Sequence, residues 1–525
     1  MTPQRPAHLA LAAIFLTLLP PAVAIAATAR PHAPRMSTQA AFRFLRQATW
    51  GPTSADVAHI QQVGFKTYIE EQFAAPLSPI PDATVDANNN LLMGPVQQQF
   101  FLNAVNGEDQ LRQRMMFALN QIWVVSDVKI AQAQAMVVYL RTLQQDAFAN
   151  YHDVMYDITL NPAMGHYLDM VNNDKGNPAT GHSANENYAR EVMQLFTIGV
   201  SELNPDGTLK LDTSGQPIPA YTQDTIEGFA SVFTGWTYAP LPGKNPASHN
   251  PANWASPMVA VQANHDTFSK SLLNGVSLPA GQTAELDLAQ GLQNIFQHPN
   301  VGPFIGKQLI QHFVTSNPSP AYVQRVANVF ADNGQGVRGD LKAVIEAILL
   351  DQEARSGDDG TLDALEGHLT EPVLFFNALL RELNAKIVLN NALPGQGSAL
   401  QQNIYFPPTV FNYYAPSYAI GDTGVNAPEF QLLSSSTAMQ RANFVNALIF
   451  GTVGGITLDL TGYQTLAANP GQMVDAMNTA LMGGTMSTTM RSTILTAVNA
   501  ATTPKAKAQA ALYLIASSWQ YQVQR

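Results

Sequence analysis

The chain contains no cysteine. That absence excludes disulfides, thiol catalysis, thiolate metal ligands and a lipid-modified N-terminal cysteine. Stability must come from a packed core, and 525 residues with 46% apolar content suffice to build one. Charge is scarce too: Asp, Glu, Lys and Arg make up 12% of the residues, 27 basic against 38 acidic, for a formal net charge of −11. An acidic surface repels phosphate backbones and anionic lipids, so roles with nucleic acid or at a membrane surface are not expected. Beyond the N-terminus no apolar run approaches the ~20 residues a spanning helix needs.

What the N-terminus does hold is a three-part export pattern. Arg5 gives a short basic region, Leu9 to Leu19 an uncharged apolar run, and Pro20-Pro21 break it before small residues from Ala22 to Ala29. The run is about half the length of a membrane span, so 1–29 reads as a signal peptide. The mature chain is expected to begin between Ile25 and Arg30. No arginine pair precedes the run, which favours the general secretory route and a periplasmic or extracellular location.

Helical periodicity dominates the rest. Leu111, Met115, Ala118, Leu119 and Ile122 fall on one face of a 3.6-residue helix, as do Tyr188, Val192, Leu195, Phe196 and Gly199. Segments 301–312, 321–330, 341–350, 372–384, 468–482, 488–500 and 506–518 repeat the pattern. Strand signals are sparse. The clearest is 203–221, where Asn204-Pro205-Asp206-Gly207 and Asp212-Thr213-Ser214-Gly215 are turn clusters flanking short β-capable runs. The expected fold class is therefore all-α, a multi-helix array with one small inserted β-hairpin. Residues 30–525 read as a single unit, with Pro-, Asn- and Gly-rich stretches at 239–260 and 390–410 as loops where it would subdivide.

Two letter patterns carry little. Gly334-Gln335-Gly336-Val337-Arg338-Gly339 matches the dinucleotide fingerprint, but a helical segment precedes it where a strand is needed. The glycines read as a turn between helices with Asp340 capping the second, and no nucleotide cofactor is expected. The Asp- and Asn-rich run 169–177 lacks EF-hand spacing; a calcium or other hard-metal site of another kind stays open, with no metal ligands assigned.

The densest polar segment is 152–194. Advancing ~100° per residue along a helix from about Ala184 puts Glu186 and Arg190 opposite the apolar stripe, an ordinary surface pair. Glu191 falls at the edge of the stripe, one turn from Asn187. A carboxylate there needs either a buried partner or a cleft, and a cleft would raise its pKa towards acid–base use. His166 and Asp169, three residues apart, share a helical face after the Asn161-Pro162 start, and His265-Asp266 reads as a further exposed pair.

These residues also carry a resemblance. Asn161-Pro162-Ala163-Met164 through Asp169, Asn185-Glu186-Asn187-Tyr188-Ala189-Arg190-Glu191 and Phe233-Thr234-Gly235-Trp236 resemble the bacterial family catalogued as domain of unknown function eighteen-hundred. So do Asn300-Val301-Gly302-Pro303-Phe304, Thr315-Ser316-Asn317-Pro318, Val410-Phe411-Asn412-Tyr413-Tyr414, Ala427-Pro428-Glu429-Phe430 and the final Tyr521-Gln522-Val523-Gln524-Arg525. The likeness spans the mature chain. It departs at Thr370-Glu371-Pro372, where Arg-Glu-Pro is expected, and at His312, where arginine is expected. It implies export and a neighbouring exported sulfatase-like protein as partner, and carries no activity, cofactor or catalytic residue.

The leading functional expectation is a protein that acts on or binds an extracellular or envelope glycan through 152–194. Acting as a hydrolase, it would divide acid and base roles between Glu191 and Asp169, with His265 joining them. Asn185, Asn187, Arg190, His166, Asn173, Lys175 and Asp266 would bind, and Trp236, Tyr238, Trp254, Tyr413 and Tyr414 are aromatics able to stack on sugars, Trp236 reading more simply as core. The alternative is a non-catalytic accessory of the sulfatase-like partner.

Overall fold

Apolar periodicity becomes helix wherever a cap and a proline agree on the start. The computed structural model describes residues 36–361 and 366–525, so the signal-peptide reading lies outside the described residues. Helices Pro162–Tyr167, Pro320–Ala331, Pro470–Met482 and Pro504–Ala516 each open on proline behind a capping Asn161, Ser319, Asn469 or Thr503, whose side chain accepts a backbone N–H. Proline loses nothing at that position, because its missing N–H would have had no helical partner. Among the described residues 24 α-helices account for the all-α class.

Among the described residues strands occur as four two-residue antiparallel pairs, two of which join segments distant in sequence. Trp236–Thr237 pairs with Val259–Ala260, Lys270–Ser271 with Ser277–Leu278, His368–Leu369 with Val523–Gln524, and Lys386–Ile387 with Ile456–Thr457. The expected hairpin forms as two tight turns in series. Bridges join Ser201 to Pro219, Leu203 to Leu209 and Leu211 to Pro217, with Gly207 and Gly215 at φ 75° and 78° in the turns. The reading of 390–410 as loop needs correcting: it contains the helix Ala392–Ala399 despite Pro394, Gly395 and Gly397.

Contacts hold Met36–Arg525 together as one unit, and one apolar cluster runs through it. Two of its large aromatics bond each other, whereas the Trp50 and Trp236 indole N–H groups have no partner among the described residues. The Trp123 indole N–H donates to the Tyr151 hydroxyl at 3.1 Å, and that hydroxyl donates to the Phe196 carbonyl at 2.5 Å. Three segments far apart in sequence meet at an ion pair: Arg46 Nε lies 2.7 Å from Glu382, and the Tyr521 hydroxyl donates to the same carboxylate at 2.7 Å.

Asp146 ends the helix Ala133–Asp146, where the helix dipole disfavours a negative charge. It is 8% exposed and its Oδ2 has no hydrogen-bond partner. Burial, then Asp157 and Asp153, push it up to about 7. A carboxyl raised on folding stabilises fully below its unfolded value, and that contribution is lost as pH rises through the folded one. Asp146→Asn should therefore match wild type at pH 4 and exceed it at pH 8.5. The shift corresponds to about 4 kcal/mol at face value, reduced by solvent screening to about 1–2 kcal/mol. Urea melts at the two pH values check it, and equal differences at both would remove the assignment.

Candidate functional site

The helix carrying Glu191 is shorter than its apolar stripe suggests, running Asn187–Gln194. Asn185 sets its start: the Asn185 carbonyl and N–H bond the Asn173 side chain at 3.2 and 2.7 Å, and its own Oδ1 accepts from Asn187 N at 2.8 Å. Asn187 then donates to Asp169 Oδ2 at 3.1 Å, and Lys129 Nζ holds Asp169 Oδ1 at 2.7 Å and the Tyr167 carbonyl at 2.8 Å. Glu191 follows one turn after Asn187. It is half-buried, its Oε2 is sealed from solvent, and no donor reaches it. Burial raises its pKa, with Arg190 opposing. Tyr167 and Tyr221 feel its charge and are themselves pushed up to about 12, chiefly by burial; the Tyr221 hydroxyl also lacks a partner.

So Asp169, Asn187 and Glu191 come together on one face with Lys129, which sequence reasoning had not named. Arg190 pairs with Glu186 at 2.8 Å as an exposed i,i+4 bridge. His166 and Asp169 do not share a helical face: the helix Pro162–Tyr167 ends between them and Asp169 takes φ 58°. His166 turns instead to Tyr238, 2.9 Å away, and sits edge-on to Trp254 at 5.3 Å. Burial lowers the pKa of that imidazole.

His265 must be removed from the catalytic set. It is 0% exposed, with Nδ1 2.9 Å from the Thr234 carbonyl and Nε2 2.9 Å from Asp287. Lys270 Nζ meets the same Asp287 carboxylate at 2.7 Å. This closed His–Asp–Lys corner presents no atom to a substrate. Asp266 is half-buried: its Oδ1 accepts from Phe268 N, and Lys270 Nζ bonds its backbone carbonyl. Asn173 is buried as the loop tie just described. Lys175 is exposed, and its backbone N–H bonds Asn264. Of the aromatics, Trp236, Tyr238, Tyr413 and Tyr414 are buried, and Trp254 alone of the five is half-exposed. Among the described residues no three His, Asp or Glu side chains are grouped to hold a metal. In the glycine turn 332–340 the Asp332 carboxylate already accepts Gly334 N and Gly336 N at 2.8 and 2.9 Å, where a dinucleotide would place phosphate.

A second feature escaped the sequence. Helix Val301–Phe313, the 198–209 turn and the 411–417 loop border a half-open cavity of about 580 Å³, lined by Leu195, Ile198, Leu203, Leu209, Phe304 and Phe411 with Lys307 and Gln308. It adjoins a recess of about 50 Å³ walled by Gln121, His312, Asn412, Tyr414 and Glu429. Behind these lies Glu371, fully enclosed, accepting from Gln402, from the Tyr414 hydroxyl at 2.8 Å and from Gln121 at 3.3 Å. Burial raises Glu371 and lowers His312 to about 3, so the imidazole is neutral. Gln121, Glu371, Asn412, Tyr414 and Glu429 stand far apart in sequence, and only the fold brings them together.

The profile of the family described as Protein of unknown function (DUF1800) matches residues 43–523. The chain matches no curated protein and no solved structure.

Proposed function

The chain belongs to the DUF1800 family, and for this member we propose export followed by binding and cleavage of an envelope or extracellular glycan across the Asp169–Asn187–Glu191 face. The observation that carries the reading is the Glu191 carboxyl, half-buried, without a donor and with its pKa raised by burial. A carboxyl in that setting holds its proton to higher pH than a free one and can deliver it to a glycosidic oxygen. Asp169, held by Lys129 and Asn187, is the second carboxylate that glycoside chemistry requires. The face is open, with Lys129 and Asp169 side chains 42% and 45% exposed, as a polymer without a free end demands. Beside it the half-exposed Trp254, braced edge-on by His166 and Tyr238, offers a ring for a sugar to stack on.

The test uses purified mature protein with a panel of peptidoglycan and soluble bacterial polysaccharides, reading co-sedimentation and release of reducing ends. Trp254→Ala should lose binding. Glu191→Gln should keep binding and lose release by ~10²-fold or more. The same variant should melt at or above wild type at pH 8, because no hydrogen bond is lost and a disfavoured charge is removed. Absence of binding to every glycan would overturn the reading. Wild-type release by Glu191→Gln would remove the acid role and leave a binding protein.

A further inference from the structure

The cavity beside helix Val301–Phe313 carries two donors, Gln308 and Lys307, with no hydrogen-bond or ion-pair partner among the described residues. Gln308 is 8% exposed and lines both the cavity and its recess, yet its Nε2 has no acceptor. Its neighbour Gln311, by contrast, donates to the Ser316 and Pro416 carbonyls at 3.1 Å each. Lys307 stands next to Gln308 in sequence and also lines the cavity; among the described residues it makes no ion pair. Burial lowers its pKa. In a chain with 38 acidic against 27 basic residues, a partly desolvated ammonium without a carboxylate is a charge kept for something else. An unmet buried donor is costly to fold around, and so is a desolvated ammonium. Apart from Gln194, Ser201, Gln311 and Ser417 the remaining wall carries no polar side chain, and about 580 Å³ is the volume of a small-molecule site.

We propose that this cavity binds a single-chain amphipathic carboxylate, its head received by Lys307 and Gln308 and its tail lying against Ile198, Leu209, Phe304 and Phe411. The chemistry follows from the lining. Two donors on one helix take one anionic, acceptor-only group, and a wall of Leu, Ile and Phe takes hydrocarbon. The volume suits one chain and excludes a diacyl lipid. The site is independent of the glycan face, so either stands if the other fails.

Calorimetry with octanoate, decanoate and dodecanoate tests it, with decanol and diacyl phosphatidylglycerol vesicles as further arms. Affinity should rise about tenfold for each pair of methylenes added. Decanoate should bind at least tenfold tighter than decanol. Lys307→Gln should abolish that preference while decanol binds as before, and Gln308→Leu should weaken decanoate alone. Leu209→Trp, at a position 49% exposed and so tolerant of bulk, should block both ligands. Vesicle binding should be absent; tight binding to vesicles would overturn the single-chain assignment in favour of a lipid surface. Failure of every carboxylate to bind below millimolar concentration, or equal binding of decanoate and decanol unaffected by Lys307→Gln, would overturn the site as proposed.

Discussion

Asp287→Ala is expected to destabilise the fold by about 3 kcal/mol, read as a lower urea midpoint at unchanged slope. The carboxylate is 0% exposed and takes three donors, His265 Nε2 at 2.9 Å, Lys270 Nζ at 2.7 Å and the Gln282 amide. Burial works against its charge, but the bonds from Lys270, Gln282 and His265 outweigh that and hold it below the ordinary carboxylate value. A carboxyl lowered on folding stabilises above its unfolded pKa and loses that contribution as pH falls through the folded one, so at neutral pH the whole contribution is present. Removing it strands a buried ammonium and a buried imidazole. The loss stays at the lower end for a broken buried pair because Lys270 keeps the Asp266 and Phe268 carbonyls at 2.7 and 3.0 Å. A change below about 1 kcal/mol would mean that water enters this corner.

Gly228→Ala should destabilise by about 2 kcal/mol or more, against the usual trend for that substitution. Inside a helix alanine normally gains about 1 kcal/mol over glycine, and Gly228 lies within Gln223–Val232. An added Cβ there would sit 2.0 Å from the Ser271 carbonyl oxygen and 3.0 Å from its carbon. Both are backbone atoms of the strand Lys270–Ser271, which cannot rotate away, so helix and strand must separate. Gly462→Ala is the control. It lies in Thr461–Leu466 with no atom within 4 Å of its Cβ position, and should show the ordinary gain. Thermal melts of the two variants should move in opposite directions; movement in the same direction would mean that the crossing is looser than described. Because Ser271 adjoins Lys270, Gly228→Ala and Asp287→Ala should not add.

How far the residues spoke for themselves can be judged element by element. Helices such as Gln110–Ile122 and Leu341–Leu350 were legible because their apolar positions repeat at 3.6 residues, and the 203–221 turns because Asp206 and Asp212 bond the backbone two residues on. The start of the Glu191 helix was not, because it is set by Asn173, a contact from outside the helix. The same arithmetic that placed Glu191 at the edge of the buried face could not foresee that His265 would be enclosed, since its partners Thr234 and Asp287 come from two other segments. Gln308 and Lys307 drew no reading from the sequence. Nothing in the sequence says that Leu195 and Phe411 border a cavity with them.

The closure of Arg46 on Glu382 and Tyr521 has a consequence in time. Arg46 lies in the first helix, Thr38–Ala48, and is 7% exposed in the finished fold. Its counter-charge and the tyrosine that braces it come from segments synthesised far later, as does the strand Val523–Gln524 that pairs with His368–Leu369. A nascent chain therefore cannot bury its own beginning until its final segment emerges. A contact between segments this far apart in sequence carries a large loop-closure cost, which slows the step that forms it. A chain built this way completes this closure only after Tyr521 has been made.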